Sequence, residues 1–275
     1  ELLTVQYVNM GRIESADSLL FKLENILETE KNSKLNKYWI PIYKGRMAYY
    51  SKRGDYDKVI IYGNKLINEN KEYDVYSATR INQIYGDLGY AYARTNDFEN
   101  AIFFIKKRIE TSPYSKDAPE LGGQYHQLGS IYGLKRDMPL AIENYKKAIN
   151  LYLKDTTSFK RHVSRTYYTL SVCHRLLKQY DEAEKNIQVG MGYDNTPRHE
   201  LQYGLILLEQ SKYKAGFQQL QNALLQVTTS FKSKDIHQNP SEYEVYKDEG
   251  IASLILYEKG NNWYKWGKFI RYRTQ

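Results

Sequence analysis

An internal repeat constrains this 275-residue chain more than any other feature. The segment Tyr85-x2-Leu88-Gly89-x2-Tyr92 is followed by Phe98-x2-Ala101-x3-Ile105, and Pro113 closes the unit. Forty residues on, Tyr125-x2-Leu128-Gly129-x2-Tyr132 precedes Met138-x2-Ala141-x3-Tyr145-x2-Ala148. A third copy runs Tyr167-x2-Leu170-Ser171-x2-His174, then Tyr180-x2-Ala183-x3-Ile187-x2-Gly190. Apolar and small residues spaced by three and four lie on one face of a helix, so each copy reads as two amphipathic helices joined by a short turn. Gly89, Gly129 and Ser171 are small on the first helix where Ala101, Ala141 and Ala183 are small on the second. The two backbones of a pair are therefore expected to approach closely there.

Weaker copies extend the pattern over nearly the whole chain. They are Tyr203-Gly204-x2-Leu207 with Tyr213-x2-Gly216-x3-Leu220-x2-Ala223, Tyr50 with Gly54-Asp55-Tyr56-x2-Val59, and Tyr7 and Gly11 with Ile13-x2-Ala16-x3-Leu20. A last one joins Tyr257 and Gly260 to Trp263-x2-Trp266-x3-Ile270. Second helices are thus expected to start near 13, 56, 98, 138, 180, 213 and 263, with spacings of 43, 42, 40, 42, 33 and 50. The turns Lys52-Arg53-Gly54-Asp55 and Arg94-Thr95-Asn96-Asp97 carry residues that reverse a chain readily. Thr228 to Tyr243 reads as a loop. Only 6 prolines interrupt the chain, which suits long helices, and its 28 tyrosines suit a broad, partly wet packing surface.

These residues resemble the tetratricopeptide repeat (TPR), which pairs an aromatic-x2-Leu-Gly-x2-Tyr helix with an Ala-x3-aromatic helix. The resemblance implies an all-α, right-handed α-α superhelix of antiparallel pairs, with residues 1–275 forming a single domain of about seven units. The period of about 42 exceeds the family's usual 34 by about two helical turns. It also implies a concave groove, lined by the first helix of each unit, that holds a protein or peptide segment. Projected onto that groove are Lys44, Gln83, Asp87, Tyr90, Arg94, His126, Gln127, Ser130, Arg165, Tyr168, Thr169, Arg175 and Gln202. Such a polar, aromatic and arginine-bearing lining suits a peptide backbone and an acidic side chain or free carboxylate. The family's clamp for a C-terminal carboxylate is matched at Lys44 only, because Ala48 stands in place of its Asn and Asp87 opposes the charge pattern.

No phosphate-binding loop, nucleophile elbow or His-Glu-x-x-His motif is present, so no enzymatic activity, cofactor or metal is expected. Cys173 and His174 are adjacent, which on a helix points them about 100° apart and denies them a nucleophile–base geometry. The net charge is +8, but the longest basic run is Lys106-Lys107-Arg108, so nucleic acid is not the expected partner. No apolar run is long enough for a membrane span. The chain opens at Glu1, without Met, already reading as helix. A mature or trimmed product is expected, cytoplasmic or periplasmic, with a leader, anchor or output domain outside it. The style resembles the repeat regions of bacterial sensor and regulator proteins; cytoplasmic peptide-pheromone receptors and RNA-binding helical repeats are the alternatives. The aromatic end (Trp263, Tyr264, Trp266, Phe269) reads as a docking face for a further repeat or a second copy.

Overall fold

The computed structural model describes residues 2–30, 32–241 and 244–273, with the side chains of Leu2 and of residues beyond 266 excepted. Thirteen α-helices account for most of it: α1 (Leu2–Asn9), α2 (Ile13–Glu30), α3 (Trp39–Arg53), α4 (Tyr56–Tyr73), α5 (Ala78–Arg94), α6 (Phe98–Glu110), α7 (Gly122–Leu134), α8 (Met138–Tyr152), α9 (Thr156–Leu176), α10 (Tyr180–Tyr193), α11 (Pro197–Glu209), α12 (Tyr213–Val227) and α13 (Glu249–Arg273). The chain divides into two compact units, residues 1–137 and 138–275. In the first, α1–α2, α3–α4 and α5–α6 are packed pairs and α7 lies on α6. In the second, α8 packs on α9, α9–α10 and α11–α12 are pairs, and α13 covers α12 and α11. The fold is an all-α solenoid of helix pairs. No helix among the described residues is long and apolar enough to cross a membrane.

Small residues set the packing distance within each pair. A Cβ on Gly89 of α5 would lie 2.4 Å from Ile105 Cδ1 and 3.3 Å from the carbonyl of Ala101 on α6. In the second unit Gly204 and Gly216 face each other across α11 and α12, and a Cβ on either would stand 3.0 Å from the other's carbonyl oxygen. Ile84, Leu88, Met47, Val59 and Leu66 fill the core beside the first crossing, all under 4% exposed. At the N-terminal end, buried Arg46 of α3 donates to Asp17 Oδ1 at 2.5 Å and to both carboxylate oxygens of Glu24, tying α3 to α2.

The turns between paired helices repeat one device. Gly11, Gly54, Asn96, Arg136, Lys178 and Ser211 all have φ between 60 and 75°. The next amide donates five residues back in every case: Arg12 to Tyr7, Asp55 to Tyr50, Asp97 to Tyr92, Asp137 to Tyr132, Gln179 to His174 and Lys212 to Leu207, at 2.8–3.0 Å. This is a left-handed helix stop whose 6→1 bond satisfies a carbonyl that the ending helix leaves orphaned. Asp55 and Asp97 then cap the following helix by accepting from the amides of Lys58 and Asn100.

The last unit departs from the sequence expectation. No second helix begins at 263, because α13 runs unbroken from Glu249 to Arg273. Gly260 has no left-handed φ, and Asn262 returns its amide to the carbonyl and carboxylate of Glu258, so no turn forms. Trp263 and Trp266 are not an open docking face either: both pack on Phe217 of α12, with ring centroids 4.7 and 5.4 Å away. Tyr264 is exposed; the side chains of Phe269 and Ile270 lie outside the described residues.

The described residues between α12 and α13 form no helix yet are held at two points. At its neck the Glu244 carboxylate accepts from the amides of Thr229, Ser230 and Phe231 and from the hydroxyls of Thr229 and Ser230. Further out, buried Lys259 of α13 donates to Gln221 Oε1 at 2.7 Å and to the carbonyl of Gln238 at 3.0 Å. Burial pushes the Lys259 pKa down to about 8, while the hydrogen bonds from Ser230 and its neighbours hold Glu244 at about 2.

Two predictions follow from the turn and the neck. Lys178→Gly removes a Cβ from a left-handed position and should stabilise the protein by about 0.5–1 kcal/mol after the entropy that glycine adds to the unfolded chain. A raised urea midpoint checks it, and an unchanged or lowered one contradicts it. Because the folded pKa of Glu244 is depressed, its contribution is complete above its unfolded value near 4.3 and is lost as pH falls toward 2. Protection factors at Thr229–Phe231, exchange rates corrected for the intrinsic pH dependence, should therefore fall between about pH 4.5 and 2, and Glu244→Gln should lower them at neutral pH.

Candidate functional site

In the first unit, α1, α3, α4 and α5 surround an open cleft of ≈ 380 Å³. Its apolar wall comes from Val8, Met47, Val59 and Ala91, which are the inward positions of their helices. Its polar side is built from residues four and seven apart on α3 and α5, the spacing that places them on one face. Lys44 Nζ lies 2.5 Å from Asp87 Oδ2, bridging α3 and α5. Tyr90, 48% exposed, meets Tyr56 edge to face at 5.7 Å, and Arg94 stacks over the Tyr56 ring at 5.3 Å. A hydrogen bond to Tyr56 raises the Tyr90 pKa above the ordinary phenol value. The cleft thus offers an apolar wall and two phenols beside a neutralised ion pair, with the Arg94 guanidinium on the ring of Tyr56 at its edge. That combination can bind an extended segment by side-chain burial and hydrogen bonding; it contains no nucleophile–base pair.

The structure groups four of the sequence-derived candidates here: Lys44 and Asp87 as an ion pair, Tyr90 and Arg94 around Tyr56. Gln83 is exposed on the same helix, two turns before Tyr90. On α7, Gln127 Oε1 accepts from Arg108 at 3.1 Å, and Ser130 donates to the carbonyl of His126 at 3.0 Å.

The second unit treats its candidates differently. Arg175 pairs with Glu209 at 2.5 Å, Tyr168 sets its ring edge against His199 at 5.3 Å, and Thr169 donates to carbonyls of its own helix. Arg165 stays exposed, and its charge lowers the pKa of nearby His162 after the effect of that ring's burial. Gln202 does not line an open groove: it is 3% exposed within α11, which is contacted by α9, α10, α12 and α13. The packing of α13 onto this unit was not read from the sequence.

Cys173 is inert in this setting. It is buried, its thiol is pushed up to about 11, and neighbouring His174 is turned away to Gln179 Oε1 at 2.7 Å.

Sequence reasoning missed a polar position with a structural job. Asn82 and Ser164 stand seven residues before Gly89 and Ser171, on the first helix of their units. Asn82 donates to the carbonyl of Arg108, and Ser164 lies within 2.9 Å of the carbonyls of Gly190 and Asp194 and 3.0 Å from His199 Nε2. Both satisfy carbonyls at the end of the paired helix, and their shared register was the available signal.

Comparison with known proteins agrees with this architecture. The tetratricopeptide repeat family matches residues 83–114 and 125–155, which span α5–α6 and α7–α8. No curated protein matches the sequence. Among solved structures, the apo form of RapI superposes with a TM-score of 0.71 at 11% identity, covering 86% of this chain and 66% of that one. A signal transduction ATPase with numerous domains from Pyrococcus horikoshii, which carries a tetratricopeptide repeat sensor, gives 0.66 at 16% identity. That match covers 82% of this chain, which spans only 35% of the ATPase. BtubC from P. vanneervenii gives 0.61 at 14% identity, covering 77% and 87%. At these identities the likeness is one of fold. The tetratricopeptide repeats matched over residues 83–114 and 125–155, the repeated helix pairs and their common stop together give the chain a tetratricopeptide-repeat fold.

Proposed function

We propose that the chain is a non-catalytic peptide- or protein-binding module, residues 1–275 working as one repeat domain in the sensing or interaction region of a bacterial signalling or regulatory protein. The cleft between α1, α3 and α5 carries this reading. It pairs an apolar wall with Tyr56, Tyr90, Arg94 and Lys44, groups that recognise the side chains and the backbone of an extended segment. Tyr90 and Arg94 are the anchors: both are exposed, on one face, and their rings and guanidinium lose little entropy on binding. Lys44 and Asp87 neutralise each other and set the width of the cleft. The likeness to an ATPase that carries a tetratricopeptide repeat sensor supports a regulatory role.

Screening the intact protein against a random heptapeptide library, with affinities of selected peptides measured by calorimetry, tests the reading. Tyr90→Ala and Arg94→Glu should each weaken a selected peptide at least about tenfold, a loss of about 1.4 kcal/mol, with helicity and melting unchanged. Reversal of Lys146, exposed on α8, should leave binding intact. No saturable peptide, or binding indifferent to Tyr90 and Arg94, overturns the proposal.

A further inference from the structure

One residue breaks the repeat in a way that packing does not require. Seven positions after Val59, Ala141, Ala183 and Gly216, four other second helices carry Leu66, Ala148, Gly190 and Ala223, all buried, while Leu23, seven after Ala16, is half-buried. In the unit of α5 and α6 the same register, counted from Ala101, brings Arg108. Its side chain passes over α5 at Gly86, where a Cβ would lie 2.6 Å from Nη1 and 2.8 Å from Cζ. The residues in register with Gly86 are His126 and Tyr168 in the next two units, so a small residue has replaced a large one where an arginine has replaced a small one. The two changes compensate in volume and open a path for the guanidinium between α5 and α7.

At the end of that path the cation is poorly compensated. Nη1 donates to Gln127 Oε1 at 3.1 Å, while Nε is buried with no partner. Among the described residues no carboxylate pairs with Arg108, and the nearest influence, Asp87, is held by Lys44 at 2.5 Å. Burial accordingly pushes the Arg108 pKa down. A desolvated guanidinium with a buried, unused donor is costly, and a strut between α6 and α7 needs none of it, since Leu66 fills the equivalent place in α4. The arginine fork matches a carboxylate in geometry as well as charge.

We propose that Arg108, delivered over Gly86 and oriented by Gln127, is a carboxylate-binding site on the α5–α7 face of the first unit, recognising an acidic side chain or the C-terminus of a bound peptide. This deepens the peptide-binding reading and rests on it for the nature of the ligand, although the anion site itself can be read out separately.

The probe is sodium acetate, titrated into the full chain against sodium chloride at constant ionic strength, with the ¹⁵N-detected Nε–H signal of Arg108 as readout. That signal is assigned by its disappearance in Arg108→Met. A saturable acetate-specific shift is expected. Gly86→Ala meets only the mobile end of the Arg108 side chain and improves helix propensity by up to about 1 kcal/mol. It should weaken acetate at least about tenfold while leaving the melting temperature unchanged or raised, a split that a merely structural glycine would not give. Two peptides then separate the sources: Ac-Ala-Ala-Glu-Ala-NH2 carries only the side-chain acid and Ac-Ala-Ala-Ala-Ala-OH only the C-terminal one. An Arg108 signal that does not respond to acetate, or wild-type affinity in Gly86→Ala, overturns the proposal even where library peptides still bind the cleft. An acetate response without any library peptide would sink the peptide-binding reading and keep the anion site.

Discussion

The close approach of paired helices is the constraint from which the rest of the structure follows. Where Gly89 faces Ala101 and Ile105, or Gly204 faces Gly216, the two backbones come near enough that an added Cβ has nowhere to go. That proximity lets Leu88, Ile105, Ile187 and Leu220 fill the remaining space to complete burial. A single pair has too few such residues to form a core, so pairs must stack on their neighbours. The stacking needs the chain to reverse within the two or three residues after each first helix. The left-handed stop at Gly11, Gly54, Asn96, Arg136, Lys178 and Ser211 supplies that reversal, even where the residue is an arginine or lysine that adopts the conformation at a cost.

How much of this was legible in the sequence depended on whether a residue's job was periodic. The small-to-small crossings and the aromatic before each turn recur, so the helix pairs of the middle units could be read directly. The last helix could not. Gly260 next to two asparagines looks like turn chemistry, but Lys259, Trp263 and Trp266 all make contacts that hold α13 straight against α12. Those contacts are tertiary, with partners in a loop and a helix tens of residues away. Charge was equally opaque: Lys44, Arg175 and Arg94 read as three cations of a groove, and only coordinates reveal two of them in ion pairs and the third on a tyrosine face.

The two units have diverged in what they leave open. In the second, polar residues are consumed internally: Ser164 and His199 join α9 to α11, and Glu244 closes the neck of the long loop. In the first, an ion pair spans two helices, two tyrosines stand at the edge of an apolar cleft, and an arginine lies over Gly86 of α5 without a carboxylate partner among the described residues. Binding capacity in a repeat protein resides where units depart from their own pattern, since residues common to all units are occupied with packing.

Hydrogen exchange on the intact chain, with and without a peptide selected for binding, is the most direct measurement of where the ligand sits. The account predicts slowed exchange within residues 44–52 and 83–94, on the cleft-facing helices α3 and α5, while α12 and α13 are unchanged. Protection confined to α13, or to α4 and α6 alone, would contradict it.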